Sequence, residues 1–206
     1  MMANGTDTAS VDFYYIFTTM TLSLFIVVAF FGNLVVLIVF AYTKELQTVI
    51  NYFLVSLAFA DLLTAMLPMP LWLAVKVNND RWPFSIALYK AWQCMDLTFC
   101  TSSIWNLCAI SIDRCWAIAL PFGHRTAQTP FRVKCAALAV WCYSLTVSVL
   151  ITDVVVWRRR GLLISLLSFY IPTVIIVLAY LTIYVAEMRA RLQLQSQVRH
   201  FFLQLI

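Results

Sequence analysis

Two aspartates in otherwise uncharged stretches are the residues whose type and position best suit chemistry. Asp61 is the one charged residue between Glu45 and Lys76, and Asp96 is the one charged residue between Lys90 and Asp113. Stretches of this kind are long enough to form helices that cross a membrane only if the acid lies inside the membrane. An intramembrane carboxylate is costly and is therefore commonly functional.

The depth of Asp61 follows from the rise of an α-helix. Asp61 lies ten residues beyond Asn51, the expected inner end of its helix, which corresponds to about 15 Å. Ser103 lies eleven residues before Arg114 on a helix running the other way, which corresponds to about 16 Å. A carboxylate and a hydroxyl at one level suit a small hard cation or a hydrogen-bonded water cluster. The alternative is a protonated aspartate that pairs with a neighbouring helix.

Asp96 is expected nearer the outer surface. It lies eighteen residues before Arg114, or about 27 Å along the helix. Cys100 and Ser103 follow at i+4 and i+7, so the three side chains share one stripe of the helix. An anion on the wall of a cavity is a natural counter-ion for a protonated amine, whereas an acid near a helix end can also simply be solvated.

The composition places the chain in a membrane. Of its 206 residues, 63% are hydrophobic and 11% are charged, whereas soluble domains carry about 25% charged residues. So few charges leave no solvated surface for a water-soluble fold of this size. The scattered basic residues do not indicate nucleic acid binding.

The charge-free runs predict an all-α transmembrane bundle of five helices. An extracellular segment, 1–12, precedes the region 13–193, and a cytoplasmic tail, 194–206, follows it. Eight basic residues would lie inside and six outside, a weak inside bias, and Asn4-Gly5-Thr6 is a glycosylation acceptor suited to an outside N-terminus. The first run is too long for a cleavable signal peptide. The five helices are expected at 13–42, 48–76, 86–118, 131–152 and 161–193.

An ordered set of motifs resembles one family of receptors. The run from Cys94 to Arg114, with Asp96, Asn106 and Asp113-Arg114 in place, closely resembles the third helix of biogenic-amine receptors. These are rhodopsin-like (class A) G-protein-coupled receptors for adrenaline-like amines, dopamine, serotonin, octopamine or tyramine. The further landmarks, in order, are Gly32-Asn33, the run Asn51 to Leu63, Trp82, Trp141, Phe169, Pro172 and Tyr180.

The resemblance implies a ligand site in the outer half of the bundle. Asp96 is similar to the aspartate that pairs with the ligand ammonium. Ser165 and Ser168 resemble serines that hydrogen-bond hydroxyls on the ligand ring, although such residues often only bond to their own helix. Cys100 and Phe169 are expected to line the same pocket.

The resemblance also implies two sites deeper in the bundle. Asp61 and Ser103 match the family's sodium site, the one cofactor-like group that we expect. Asp113 and Arg114 match an inner switch, in which an ion pair holds the resting state and the freed arginine meets the heterotrimeric G protein. Phe122 matches an apolar plug that enters a groove of the G protein.

The sequence departs from the family pattern at several positions. Cys115 replaces the tyrosine that ends the switch motif, and Tyr89 stands where the family has a disulfide cysteine. No cysteine follows Cys142, so we expect six free thiols. Arg158 to Arg160 would face an incoming cation unfavourably. Nothing after the fifth helix resembles the family's sixth and seventh helices, and we therefore expect a chain truncated after the fifth.

Three functional classes remain after these observations. The leading hypothesis is a multi-pass plasma-membrane receptor for a biogenic amine that signals through a G protein. One alternative is a truncated, non-signalling variant that forms dimers with full-length receptors, and another is a small-cation channel or transporter. An enzyme is not expected, because both histidines, His124 and His200, would lie at the inner surface, and no metal-ligand spacing occurs.

Overall fold

The computed structural model describes residues 5–49, 51–119, 129–152 and 166–204. These residues form an all-α bundle without a β-strand in the described ranges. A 3₁₀ turn covers Lys44–Leu46, and a π-helical turn covers Leu166–Tyr170. The α-helices are α1 (Gly5–Tyr42), α2 (Asn51–Met66), α3 (Pro68–Val77), α4 (Ile86–Ala119), α5 (Pro130–Thr152) and α6 (Ile171–Gln204).

Within the described ranges, four helical segments are long and apolar enough to cross a membrane. They are Phe13–Tyr42, Asn51–Val77, Pro130–Thr152 and Ser168–Arg199. The remaining long helix, α4, has 34 residues and is long enough but carries more polar residues. It packs against α2, α3, α5 and α6, which shield these polar side chains from lipid. The predicted all-α membrane bundle is confirmed, with α4 at its centre.

The core of the bundle is built from small and polar side chains. Among the fully buried residues are Asn106, Thr101, Ser102, Ser144 and Ser148. Large apolar side chains instead point outward along every long helix, for example Phe31 at 59% and Leu150 at 68% exposure. Small buried residues let membrane helices approach closely, and lipid takes the outward apolar surface. Most buried hydroxyls bond to a carbonyl one turn earlier, as Ser148 Oγ does to Ser144 O at 2.7 Å.

The expected helix 48–76 is divided into α2 and α3 at Leu67. Pro68 has no N–H to continue the ladder, and its ring crowds the preceding turn, so the helix breaks there. The indole N–H of Trp92 on α4 donates to the carbonyl oxygen of Pro68 at 3.1 Å. The break therefore turns the outer half of this span towards α4, close to Asp96.

The segment before α6 is a π-helical turn, which is wider than a turn of α-helix. Pro172 cannot donate to the carbonyl of Ser168, and the π-helical turn Leu166–Tyr170 absorbs this defect. Pro172 is fully buried, and the turn packs against α4. The described helix then runs to Gln204, so most of the expected tail 194–206 continues α6.

Candidate functional site

A polar contact between two helices joins Asp61 on α2 to Ser103 on α4. The hydroxyl of Ser103 donates to Oδ1 of Asp61 at 2.5 Å, and both residues are half-buried. The two side chains meet at one level, as the helical rise predicts. Together they offer carboxylate and hydroxyl oxygens, the donor chemistry that a hard cation prefers.

Asp96 lies on α4, further towards the outer end of the bundle. It is half-buried, and among the residues that the structure describes it has no cationic partner. Asp96 and Trp92 line two neighbouring open pockets of about 300 and 280 Å³. The first pocket lies towards α1 and α3, where Trp72 stacks parallel to Trp92 with centroids 5.9 Å apart. The second lies towards the outer end of α5 and includes Ile151 and Thr152.

The stripe below Asp96 forms as its spacing predicts. The sulfur of Cys100 lies 4.0 Å from Oδ1 of Asp96, one helical turn away, and the Cys100 side chain is exposed. Ser103 follows and turns to Asp61. A thiol is a weak donor and carries no positive charge, so Cys100 does not neutralise Asp96.

The π-helical turn brings a serine hydroxyl into the interior. Ser168 is 6% exposed, and its Oγ is buried without a hydrogen-bond partner in the described part of the chain. Thr101 on α4 is 1% exposed, and its Oγ1 is in the same situation. Buried hydroxyls are normally paired, so each of these is a candidate contact for a polar ligand group. Thr101 is not among the residues predicted from the sequence, where its one signal is that it is a polar residue inside an intramembrane helix.

Phe169 does not join these pockets. It is 51% exposed, and its ring meets that of Tyr170 edge to face at 5.5 Å. The pockets at Asp96 have neither Cys100 nor Ser168 in their described lining. Ser165, the other serine of the expected pair, lies outside the described residues, as do Asn4 and Phe122.

Asp113 and Arg114, the residues expected to form an inner switch, face different environments. Asp113 is 6% exposed and lines a groove between α2, α4 and α5. Arg114, the next residue along α4, is exposed. Adjacent helical positions point in different directions, so one of the two side chains faces the bundle and the other faces away.

An aromatic cluster lies at the outer end of α4, where the family resemblance would place a disulfide bond. Tyr89 contacts Trp82 with ring centroids 5.1 Å apart and Trp92 at 5.7 Å, and Trp82 contacts Trp92 at 5.3 Å. All six cysteines are free thiols. In the loop before α4, Asn79 and Asp80 adopt left-handed backbone conformations with φ values of 56° and 58°. The ammonium group of Lys76 forms an ion pair with Oδ1 of Asp80 at 2.6 Å.

Sequence comparison places these features among known proteins. Residues 32–161 match the family model described as the 7 transmembrane receptor (rhodopsin family). The D(2) dopamine receptor A of Xenopus laevis is 35% identical over 207 residues, covering 94% of this chain and 47% of the relative. Tyramine receptor 1 of Locusta migratoria is 39% identical over 191 residues, covering 84% and 39%. The octopamine receptor of Heliothis virescens is 38% identical over 201 residues, covering 88% and 41%. The chain thus spans less than half the length of these relatives.

Proposed function

This chain belongs to the rhodopsin family of seven-transmembrane receptors, and we propose that it acts as a receptor for a biogenic amine and signals through a heterotrimeric G protein. Members of this family are receptors and not enzymes, and their helices pass the membrane several times. Three similar proteins are named as receptors for dopamine, tyramine or octopamine. Each of these ligands is an arylethylamine with a protonated nitrogen at neutral pH.

The observation that carries the proposal is the state of Asp96. Its half-buried carboxylate has no cationic partner in the described ranges and lines a pocket beside Trp72 and Trp92. A ligand ammonium would supply the missing charge and would also be attracted to the faces of the two indoles. The positive charge of the ligand would thus be held by one ion pair and a wall of aromatic rings.

The opposite end of the ligand needs polar partners deeper in the bundle. The buried, unpaired hydroxyls of Ser168 and Thr101 support a contact with a hydroxyl group on the ligand ring. Ser165 is proposed as a further contact on sequence grounds. Because an unpaired buried hydroxyl is costly, the site should favour amines that carry a ring hydroxyl over those that lack one.

We assign the Asp61–Ser103 pair to a sodium ion on the basis of its donor set. The pair supplies a carboxylate and a hydroxyl oxygen, and Ser103 can turn its lone pairs to a cation once it stops donating to Asp61. An ion here would stabilise the ionised form of Asp61 inside the bundle. Other oxygen ligands must complete the shell, because a pair of side chains offers too few.

The inner end of the bundle is assigned to the G protein. The exposed side chain of Arg114 and the apolar side chain of Phe122 are the proposed contacts. Asp113, which is buried, is proposed to belong to the ion pair that holds the resting state. This assignment requires an extracellular N-terminus in the plasma membrane, with sugar on Asn4. One alternative is a non-signalling partner of full-length receptors, in which Asp96 would still bind an amine. The other is a small-cation channel, in which Asp96 would instead contact the permeating cation.

The deciding experiment measures amine binding directly. Membranes from cells that lack amine receptors, with and without this chain, are titrated with tritiated tyramine, octopamine and dopamine. Leaving a buried charge unpaired costs about 3–5 kcal/mol, so Asp96→Asn should weaken binding by about two decades or more. Asp80→Asn is the matched control, because Asp80 is an exposed outer acid already paired with Lys76.

Each outcome separates the hypotheses. Retained affinity within about threefold in Asp96→Asn would refute the ligand assignment. Amine binding without any amine-dependent second messenger would favour the non-signalling variant. A cation current that needs Asp96 and does not respond to amines would favour the channel.

A further inference from the structure

The outer half of the second span, α3, is a short helix of its own rather than a continuation of α2. Pro68 and Pro70 stand among its first three residues, and neither has an N–H to donate to a carbonyl of the preceding turn. Leu67, at the joint, has φ −116° and ψ −70°. Because the backbone ladder is interrupted here, contacts with other helices must contribute strongly to the position of α3.

Trp92 of α4 contacts α3 at two points. Its indole N–H donates to the carbonyl oxygen of Pro68 at 3.1 Å, and its ring lies parallel to that of Trp72 with centroids 5.9 Å apart. Pro68 and Trp72 are four residues apart, so they share one face of α3. Pro68 is fully buried and Trp92 is half-buried. Trp92 therefore holds two successive turns of α3 against α4.

Trp92 is also part of the site that contains Asp96. The two residues are four positions apart on α4, so their side chains are neighbours on one stripe of that helix. Both contact points on α3, Pro68 and Trp72, line the 300 Å³ pocket together with Trp92 and Asp96. Trp92 lines the 280 Å³ pocket on the other side of Asp96 as well. The side chain that holds α3 in place is thus shared by both pockets.

Other contacts of α3 act at its outer end. The hydroxyl of Tyr15 on α1 donates to the carbonyl oxygen of Val77 at 3.1 Å, about 14 Å along α3 from Pro68. Lys76 lies over the Trp72 ring at 5.4 Å and pairs with Asp80, so its contacts stay within α3 and the loop that follows. The end of α3 next to the joint is therefore held by the hydrogen bond from Trp92.

We propose that Trp92 is a positioning residue of the amine site, whose N–H holds α3 against α4 and so keeps Trp72 in the wall beside Asp96. The part of this inference that concerns the ligand rests on the proposed function. Without the N–H, α3 would be free to open at Leu67, and the pocket would widen beside Asp96. A bound amine would then keep its ion pair but lose contacts with the aromatic wall.

The first measurement needs no ligand. The full chain in nanodiscs is followed by hydrogen exchange and mass spectrometry, which report the local opening of helical segments. Benzothienylalanine at position 92 keeps the two fused rings but has sulfur in place of the indole N–H, so it removes only the donor. Exchange of the amides of residues 71–77 should rise by a factor of about 2 to 10, the contribution of one hydrogen bond. Exchange in α2 should stay unchanged, and Trp92→Phe should behave like the isostere.

The second measurement is tyramine affinity. The isostere at position 92 should weaken binding by the same factor of about 2 to 10. In a Trp72→Ala background the replacement should have little further effect, because the side chain that the N–H positions is already absent. A direct contact between Trp92 and the ligand would instead give additive losses.

Trp141→Phe is the matched control. The indole N–H of Trp141 also donates to another helix, to Ser56 Oγ at 3.0 Å, but Trp141 is not in the described lining of either pocket at Asp96. Its replacement should lower stability and leave both the exchange of α3 and the affinity for tyramine unchanged. A purely structural role of Trp92 would give the same pattern as this control.

Three results would overturn the proposal. Unchanged exchange in α3 would show that the N–H does not hold this helix. Raised exchange with unchanged tyramine affinity would separate α3 from the ligand site, and additive losses with Trp72→Ala would make Trp92 a direct contact only. If the parent binds no amine, the proposed function fails, and the exchange of α3 still decides whether Trp92 holds the wall beside Asp96.

Discussion

The hydroxyl of Ser103 donates to Oδ1 of Asp61 at 2.5 Å and joins α4 to α2 midway through the bundle. The two residues lie 42 positions apart in the chain, yet the constant rise of two antiparallel helices brings them to one level. A cation bound by this pair would contact α2 and α4 at once, so its binding would depend on how these two helices pack.

Removal of either partner should abolish the effect of sodium on ligand binding. In the parent, replacing sodium chloride with the chloride of a large organic cation should change amine affinity by a factor of about five or more, a usual size for coupling between sites. Asp61→Asn and Ser103→Ala should both remove this difference. Ser111→Ala is the matched control, because Ser111 is buried on the same helix and its hydroxyl donates to Leu107 O at 2.9 Å. Sodium dependence that survives in Asp61→Asn would contradict the assignment of the cation site.

Ser168 should determine preference for ligands that carry a ring hydroxyl. Its buried Oγ has no partner in the described residues, and a hydrogen bond to a ligand contributes about 0.5–1.5 kcal/mol. Ser168→Ala should therefore weaken tyramine binding by a factor of about 2 to 10 and leave phenethylamine, which lacks the hydroxyl, nearly unchanged. Competition binding with the two amines measures the ratio. An equal loss for both ligands would instead indicate a general packing defect.

The aromatic cluster around Tyr89 should stabilise the outer end of α4 without a disulfide. Edge-to-face pairs of aromatic rings contribute about 0.5–1.5 kcal/mol beyond buried area, so Tyr89→Leu should lower the melting temperature of the protein in detergent. Tyr89→Phe keeps the ring and should retain most of the stability. Because all six cysteines are free, a reducing agent should leave the parent's melting temperature unchanged, and a fall on reduction would reveal a disulfide.

The hydrogen bond between Trp141 and Ser56 should couple α5 to α2. The indole N–H of Trp141 donates to Ser56 Oγ at 3.0 Å, and its ring also packs against Phe59 and Phe99. A double-mutant cycle with Trp141→Phe and Ser56→Ala, followed by unfolding in mixed detergent micelles, should give a coupling of about 0.5–1.5 kcal/mol. Strictly additive effects would show that the contact contributes nothing beyond packing of the ring.

Orientation can be tested through the sugar acceptor at Asn4. The only Asn-x-Ser/Thr motif in the chain is Asn4-Gly5-Thr6, so one glycan is expected if the N-terminus faces outward. Glycosidase treatment should increase the mobility of the parent on a gel and leave Asn4→Gln unaffected. Identical migration of the treated and untreated parent would argue against this orientation.

The spacing of charges along the chain predicted an all-α membrane bundle and put Asp61 and Ser103 at one level, where the structure joins them by a hydrogen bond. That succeeds because helical rise and membrane thickness are constants, so position along the sequence converts directly into height. The resemblance to amine receptors likewise depends only on residue order, and the family match agrees with it. The amine, sodium and G-protein contacts stay predictions.

Only the tertiary structure decided which side of each helix faces a neighbour. The break at Leu67 and the π-helical turn before Pro172 depend on how a missing N–H is accommodated by packing against α4. Burial of the Thr101 hydroxyl depends on how the neighbouring helices pack against α4. Arg132 lines the groove between α2, α4 and α5, whereas Lys134, two residues away, faces Tyr52. The rotation of each helix about its axis is set by many small contacts between distant segments, and a local pattern of residues cannot predict those contacts.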